Sequence, residues 1–272
     1  MPRFKLTIEY AGTRYSGWQI QKNAKTIQGE IDRAVRSVTG RRDFELYGSG
    51  RTDAGVHASA QVAHLDVSTS LPPQTLVTRL NDELPADINI LSAVIVPHRF
   101  HARHDAVARR YVYQIARRRT AFHKPFVWWV KEPLDVERMR GAARAFVGLR
   151  DFKAFAESDD REGDGSKSTR VLVERLDIVE DEDLLLVVIE GSHFLWKMVR
   201  RIVGVLVEVG RGGLQPADAA RLIAAGSAGA EESGLPAKLT APPSGLFLDR
   251  VYYAKDARDG AVRSRFSLHT QP

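Results

Sequence analysis

The sequence predicts an α+β protein made of two units, and three features carry that prediction. Residues from Phe4 to Tyr10 alternate apolar with polar side chains, the period of a strand with one buried face. Helical stripes of apolar residues recur between such strands. The same mixture of strand and helix resumes beyond about residue 105 without an obvious sequence repeat, so the division expected is 1–104 for an N-terminal half and 105–272 for a C-terminal half.

In the first half, Phe4, Leu6, Ile8 and Tyr10 give the inward face of a strand. Thr26 can cap a helix whose stripe is Ile27, Ile31, Ala34, Val35 and Val38, and Gly40 supplies its stop. Two strand-like runs, Phe44 to Ser49 and Ser59 to Val67, flank the glycine-rich segment Gly48 to Gly55. Pro72 and Pro73 open a second helix through Leu80, and Asn89 to Val96 reads as a further strand.

In the second half, Tyr111 to Ala116 and Val171 to Ile178 read as extended, and the apolar run Leu184 to Ile189 suits a strand buried on both faces. Leu134 to Phe146 has helical composition, and Glu157 to Ser168 is polar and loop-like. A long helix is expected from Phe194 to Val209, with Leu195, Val199, Ile202, Leu206 and Val209 on its packed face and Lys197, Arg200 and Arg201 on a cationic one.

Composition narrows the function. Apolar residues make up 43% of the chain, enough for a sizeable core. Lysine plus arginine exceed aspartate plus glutamate by 40 to 34, and the pI is near 9.6, which suits a polyanionic partner. The absence of cysteine excludes disulfides, thiolate-bound zinc and a cysteine nucleophile. With no long apolar run and no signal-like N-terminus, a cytoplasmic protein without a membrane partner is expected.

Chemistry concentrates in a few places. The segment GSGRTDAGVHASAQVAHLDV, from Gly48, sets Asp53 beside Arg51 in a turn between strands, where a guanidinium would keep a carboxylate ionised and nucleophilic. The alternative is an ordinary Asx turn. A glycine-rich phosphate cradle lacks its signature here. His98, His101 and His104 have a suggestive spacing, but a ligand set normally needs further acidic or histidine partners and outer groups that orient them, so no metal is expected. Arg109, Arg110, Tyr111 and Tyr113 interleave cations with aromatics, a composition that can hold phosphates and stack on unpaired bases. Alternation puts Tyr111, Tyr113 and Ile115 on one face of that strand and Arg110 and Val112 on the other, so the tyrosines could equally be core.

Five stretches in order, YAGTRYSGWQIQ from Tyr10, GSGRTDAGVHA from Gly48, FHARHDAVARRYVY from Phe100, FLWKMVRRIVG from Phe194 and APPSGLFLDRVYY from Ala241, resemble the TruA family of tRNA pseudouridine synthases. The resemblance covers most of the chain. It departs at Ala11, where the family often has an acidic residue, at Arg201, where it often has asparagine, and across 157–170.

The resemblance implies two similar ferredoxin-like α+β units with a joined antiparallel sheet and a basic active-site cleft between them. It implies a cofactor-independent isomerase that breaks the uridine N-glycosidic bond, turns the uracil and rejoins it through C5, at positions 38, 39 and 40 of the tRNA anticodon stem-loop. Asp53 falls on the family's catalytic aspartate, acting at ribose C1′, at uracil C6 or by a glycal route. Tyr111, Arg51 and Arg200 fall on substrate-binding positions, and a homodimer is implied. Arg109, Arg110, Lys197 and Arg201 are expected to contact RNA. Two rival readings are an RNA-binding module, which has no need of Asp53, and a hydrolase pairing Asp53 with Asp66 or Glu83.

Overall fold

The structure is a computed structural model that describes residues 1–157, 168–228, 234–258 and 262–265. Most of the Glu157 to Ser168 loop therefore lies outside the described residues. The chain divides into two compact units, Met1–Arg109 with Phe247–Arg258, and Arg110–Leu246 with Asp259–Pro272. Both mix strands with helices, as an α+β protein should.

The first unit's sheet is built on β1 (Arg3–Tyr10), which pairs antiparallel with β3 (His57–Asp66) on one side and β4 (Ile88–Val96) on the other. Phe4, Leu6, Ile8 and Tyr10 of β1 are all buried, as the alternation predicts. The free edge of β3 is shared. Its C-terminal part pairs with β2 (Glu45–Gly48), and its first residues pair in parallel with β10 (Leu246–Tyr253), Phe247 opposite His57 and Leu248 opposite Ala58. Thus residues 247 and 248, distant in sequence, return to brace the start of β3.

Two helices cover this sheet's core. In α1 (Ile27–Thr39) Thr26 Oγ1 accepts from Gly29 N, and Gly40 ends the helix in the left-handed region at φ 66°. Ile27, Ile31, Ala34 and Val35 are buried, while Val38 is only half-buried. In α2 (Pro73–Glu83) Leu76, Val77 and Leu80 face inward.

In the second unit the strand order is β5 (Ala106–Ala116), β9 (Leu184–Gly191), β8 (Arg170–Asp181) and β7 (Gly148–Asp151), with β6 (Trp128–Trp129) paired to β5. Every residue of β9 is buried, as its unbroken apolar run predicts. The cluster of Val112, Ala116, Val127, Leu184, Leu186 and Val188 shows that β5 is packed on the Val112 face too. The opposite face, with Tyr113 and Ile115, is equally buried. Beyond Tyr111, β5 is therefore buried on both faces, and Tyr113 takes the core alternative that the alternation left open.

The predicted helix from Leu134 to Phe146 is α3 (Val136–Ala143) followed by a tighter turn, Arg144–Phe146, whose Phe146 packs with Phe152 and Phe155. The long cationic helix is shorter than its periodicity suggests. It is α4 (Met198–Arg211), because Lys197 lies in the left-handed region at φ 60° and breaks continuity with Phe194. It is also buried nearly all round. Gly204 permits close approach, since a Cβ there would lie 1.7 Å from Leu239 O. Two further helices, α5 (Asp218–Ala228) and α6 (Leu235–Lys238), complete the unit.

Candidate active site

In the first unit Asp53 is mounted on the connection between β2 and β3, and the segment from Tyr10 to Trp18 holds that connection in place. Trp18 N donates to Thr52 O at 3.1 Å and Gly55 N donates to Tyr15 O at 3.2 Å. The Tyr10 and Thr52 hydroxyls meet at 2.8 Å in a buried position. Gly12 N donates to His57 Nδ1 at 3.0 Å, so His57 carries its proton on Nε2, and its ring stacks on Phe247 at 4.7 Å. Asp53 itself is half-buried, with its carbonyl accepting from Val56 N at 3.2 Å. A turn does close there, with a carboxylate at its apex.

Glycines make this contact possible. At Gly12 a Cβ would lie 1.9 Å from Val56 O, and at Gly17, with φ 91°, it would lie 2.5 Å from Thr52 O. On the other side of the loop Ser49 Oγ is 2.7 Å from Gln61 Oε1, and Gln61 Nε2 donates to Gly50 O at 3.0 Å. Arg109 NH2 donates to Ser49 O at 3.0 Å and Arg103 O at 2.9 Å. Arg109 thus braces the loop through backbone carbonyls. Arg51 is exposed, and its Nε donates to Gln19 Oε1 at 2.9 Å.

The rival carboxylates are placed elsewhere. Asp66 receives both Arg3 Nε, at 2.7 Å, and Arg3 NH2, at 2.5 Å, and this bidentate bond holds its carboxyl below the usual range. Glu83 sits at the end of α2, where its carbonyl accepts from Arg33.

The histidines form an aromatic cluster. His64 is buried, stacks with Tyr47 and meets His101 edge-on at 4.8 Å, while His101 and His104 rings lie 4.2 Å apart. His64 Nδ1 accepts from Ala102 N, and His101 Nδ1 accepts from Arg103 N and His104 N. Among the described residues no group of three or more His, Cys, Asp or Glu side chains is arranged to hold a metal ion. Burial, with help from Arg3 and His101, lowers the His64 pKa from its usual 6.5. As pH falls through 6.5 the unfolded chain takes up that proton first, so stability is full above 6.5 and drops as the solution is acidified. His64→Gln offers an oxygen to Ala102 N without titrating. Melting curves from pH 7.5 to 5.5 should show a shallower loss for His64→Gln than for the wild type, and parallel curves would exclude His64 as the origin.

In the second unit Tyr111 is half-buried and meets Phe194 edge to face, centroids 5.3 Å apart. Tyr113 is fully core. Its hydroxyl donates to Pro242 O at 2.7 Å, burial pushes its pKa well up, and a Cβ on Gly245 would strike its ring. Arg200 is half-buried and its Nε donates to Ala241 O at 2.7 Å, joining α4 to the segment before β10. The remaining predicted RNA contacts lie as follows. Arg110 and Arg201 are buried, 5% and 6% exposed. Arg201 NH2 pairs with Glu157 Oε2 at 2.8 Å and NH1 with Ala156 O, and desolvation lowers its pKa against the pull of Glu157. Lys197 Nζ pairs with Glu157 Oε1 at 2.8 Å.

Periodicity alone missed the role of Gly12, Tyr15 and Trp18 as the support of the Asp53 loop. Their signal was the close spacing of Gly12 and Gly17 among aromatics, which no helix or strand pattern explains.

Comparison with known proteins places the chain in a family. A family model described as tRNA pseudouridine synthase matches residues 6–105 and 142–254. The chain is 42% identical over 256 residues to tRNA pseudouridine synthase A of Rhodopseudomonas palustris (strain BisA53), covering 93% of this chain and 100% of that protein. It is 42% identical over 255 residues to the protein of that name from Geobacter sp. (strain M21), covering 93% and 99%. For that from Thermoanaerobacter sp. (strain X514) the figures are 38% over 257 residues, covering 93% and 100%. The chain belongs to the tRNA pseudouridine synthase family, isomerases that convert uridine to pseudouridine in tRNA.

Proposed function

We propose that the protein isomerises uridines at positions 38, 39 and 40 of the tRNA anticodon stem-loop, with Asp53 as the nucleophile, and that it works as a cytoplasmic homodimer. The observation that carries the reading is the fixing of the Asp53 turn by backbone bonds from Trp18, Gly55 and Val56. Such pre-organisation is what covalent catalysis needs and what a passive RNA-binding surface does not. Arg51, on the same loop, and Arg200 bind the substrate's anionic backbone or orient its base. Incubating the protein with tRNA carrying C5-tritiated uridine should release tritium to water, since C5 loses its hydrogen when the new carbon bond forms. Mapping the product should place pseudouridine at 38–40. Tritium release without product at those positions would leave an isomerase of different regiospecificity.

Tyr111 is proposed to contact the target base. Its half-exposed ring and its edge-to-face support by Phe194 favour a side chain held for contact over one filling core, the role that Tyr113 already takes. Tyr111→Phe should retain its melting temperature and lose about 100-fold in single-turnover rate, the lower end for a positioned proton-transfer group. Wild-type turnover in Tyr111→Phe would remove its hydroxyl from the reaction.

A further inference from the structure

A small cavity of about 150 Å³ opens beside the Asp53 loop, entirely within the first unit, and of its lining the reading above sets only Arg51 against the substrate. Trp18, Gln19, Tyr47, Gly50, Arg51 and Arg103 are among the residues that line it. Its volume is well below the roughly 300 Å³ at which small-molecule sites begin. At about 30 Å³ per water it holds some five waters, the scale of one planar heterocycle.

The walls are firm and their chemistry is uneven. The Trp18 ring is buried and abuts Gly48, where a Cβ would lie 2.6 Å from the indole nitrogen. Tyr47 is half-exposed, backed by the His64 ring at 5.7 Å and by the His101 edge at 4.9 Å. Two arginines reach the cavity. Arg51 is bound to Gln19, whereas Arg103 is exposed and has no ion-pair partner among the described residues. The space beside Gly50 is open, for a Cβ added there meets nothing within 4 Å. An aromatic wall next to an uncompensated guanidinium suits a base joined to its phosphate, the combination used to hold unpaired nucleotides.

We propose that this cavity receives a second unpaired nucleotide of the tRNA, distinct from the uridine being isomerised, with its base beside Tyr47 and its phosphate on Arg103. The contact sets the register in which the target reaches Asp53. It rests on tRNA being the substrate and is independent of which uridine is converted.

Photocross-linking tests it directly. With p-azidophenylalanine in place of Tyr47 and a melting temperature matching wild type, irradiation with unmodified tRNA should give one reverse-transcription stop, at an unpaired nucleotide other than the converted uridine. In parallel, Arg103→Gln should raise KM for tRNA about tenfold with kcat within twofold. Its salt dependence should be shallower by roughly one phosphate contact, 0.7 to 0.9 in the log–log slope. Gly50→Leu, which fills the cavity, should raise KM to a similar degree. A stop at the converted uridine, scattered stops, no cross-link at saturating tRNA, or an unchanged KM in Arg103→Gln would each overturn the proposal. The wild-type tritium-release assay stands apart from these outcomes, so failure of the enzyme assignment is distinguishable from failure of the second site.

Discussion

Asp53→Asn should fold, bind tRNA and lose turnover by about four orders of magnitude or more, the scale expected when a covalent nucleophile is removed. The substitution is nearly isosteric, and the backbone bonds that shape the turn are made by Thr52 O, Val56 N and Gly55 N with their partners, none of which it touches. Melting temperature and tRNA affinity should therefore stay near wild type while tritium release disappears. This separates chemistry from binding more cleanly than Arg51→Ala would, because that change removes both a cation and a bond to Gln19. Residual turnover within tenfold of wild type would take Asp53 out of the reaction and return the loop to a purely structural role. It would also revive the rival in which the protein binds RNA without modifying it.

How much of this was legible in the sequence depends on how local the determinant is. β1 and α1 could be read directly, since one buried face imposes period two on Phe4 to Tyr10 and a helical stripe on Ile27 to Val35, and a threonine and a glycine mark the helix ends. The unbroken apolar run of β9 likewise maps onto burial on both faces. α4 was harder. Arg201 counts as a surface cation in any periodicity argument, yet it is buried because Glu157, forty-four residues away in sequence, supplies its counter-charge. Its start was misplaced for a related reason: Phe194 and Leu195 continue the apolar pattern, but Lys197 turns left-handed and leaves Phe194 beside Tyr111. β10 and its parallel pairing with β3 are likewise invisible to local pattern, as they depend on residues 247 and 57 meeting. For the site, residue types marked Asp53, Arg51, Tyr111 and Arg200 only as candidates, and the family resemblance gave them their proposed roles. Residue types left open whether Asp53 closes an Asx turn and whether Tyr111 is core. They did not reveal that Arg109 braces backbone carbonyls, because an arginine's partners are set by tertiary contact.

The support beneath Asp53 predicts a second large effect. Gly12→Ala adds one methyl group where the nearest atom, Val56 O, lies 1.9 Å away, far inside any real contact, and that atom is backbone with no rotamer to change. The two segments must separate, which breaks the bond from Gly12 N to His57 Nδ1 and strains the neighbouring bonds at Thr52 and Gly55. Overpacking of this kind typically costs about 1 to 3 kcal/mol, and with a buried hydrogen bond lost the upper end is expected here. The Asp53 turn would be displaced by the same movement, and since misplacement on the order of 1 Å can cost about 100-fold in rate, kcat should fall at least that far even in the fraction that remains folded. Gly50→Ala is the matched control. It lies on the same loop, its Cβ has open space, and its stability should stay within about 0.5 kcal/mol of wild type. Urea titrations and single-turnover rates on both variants decide the matter. Equal stability and activity in Gly12→Ala and Gly50→Ala would mean that the close approach of Gly12 to Val56 does not hold the Asp53 loop.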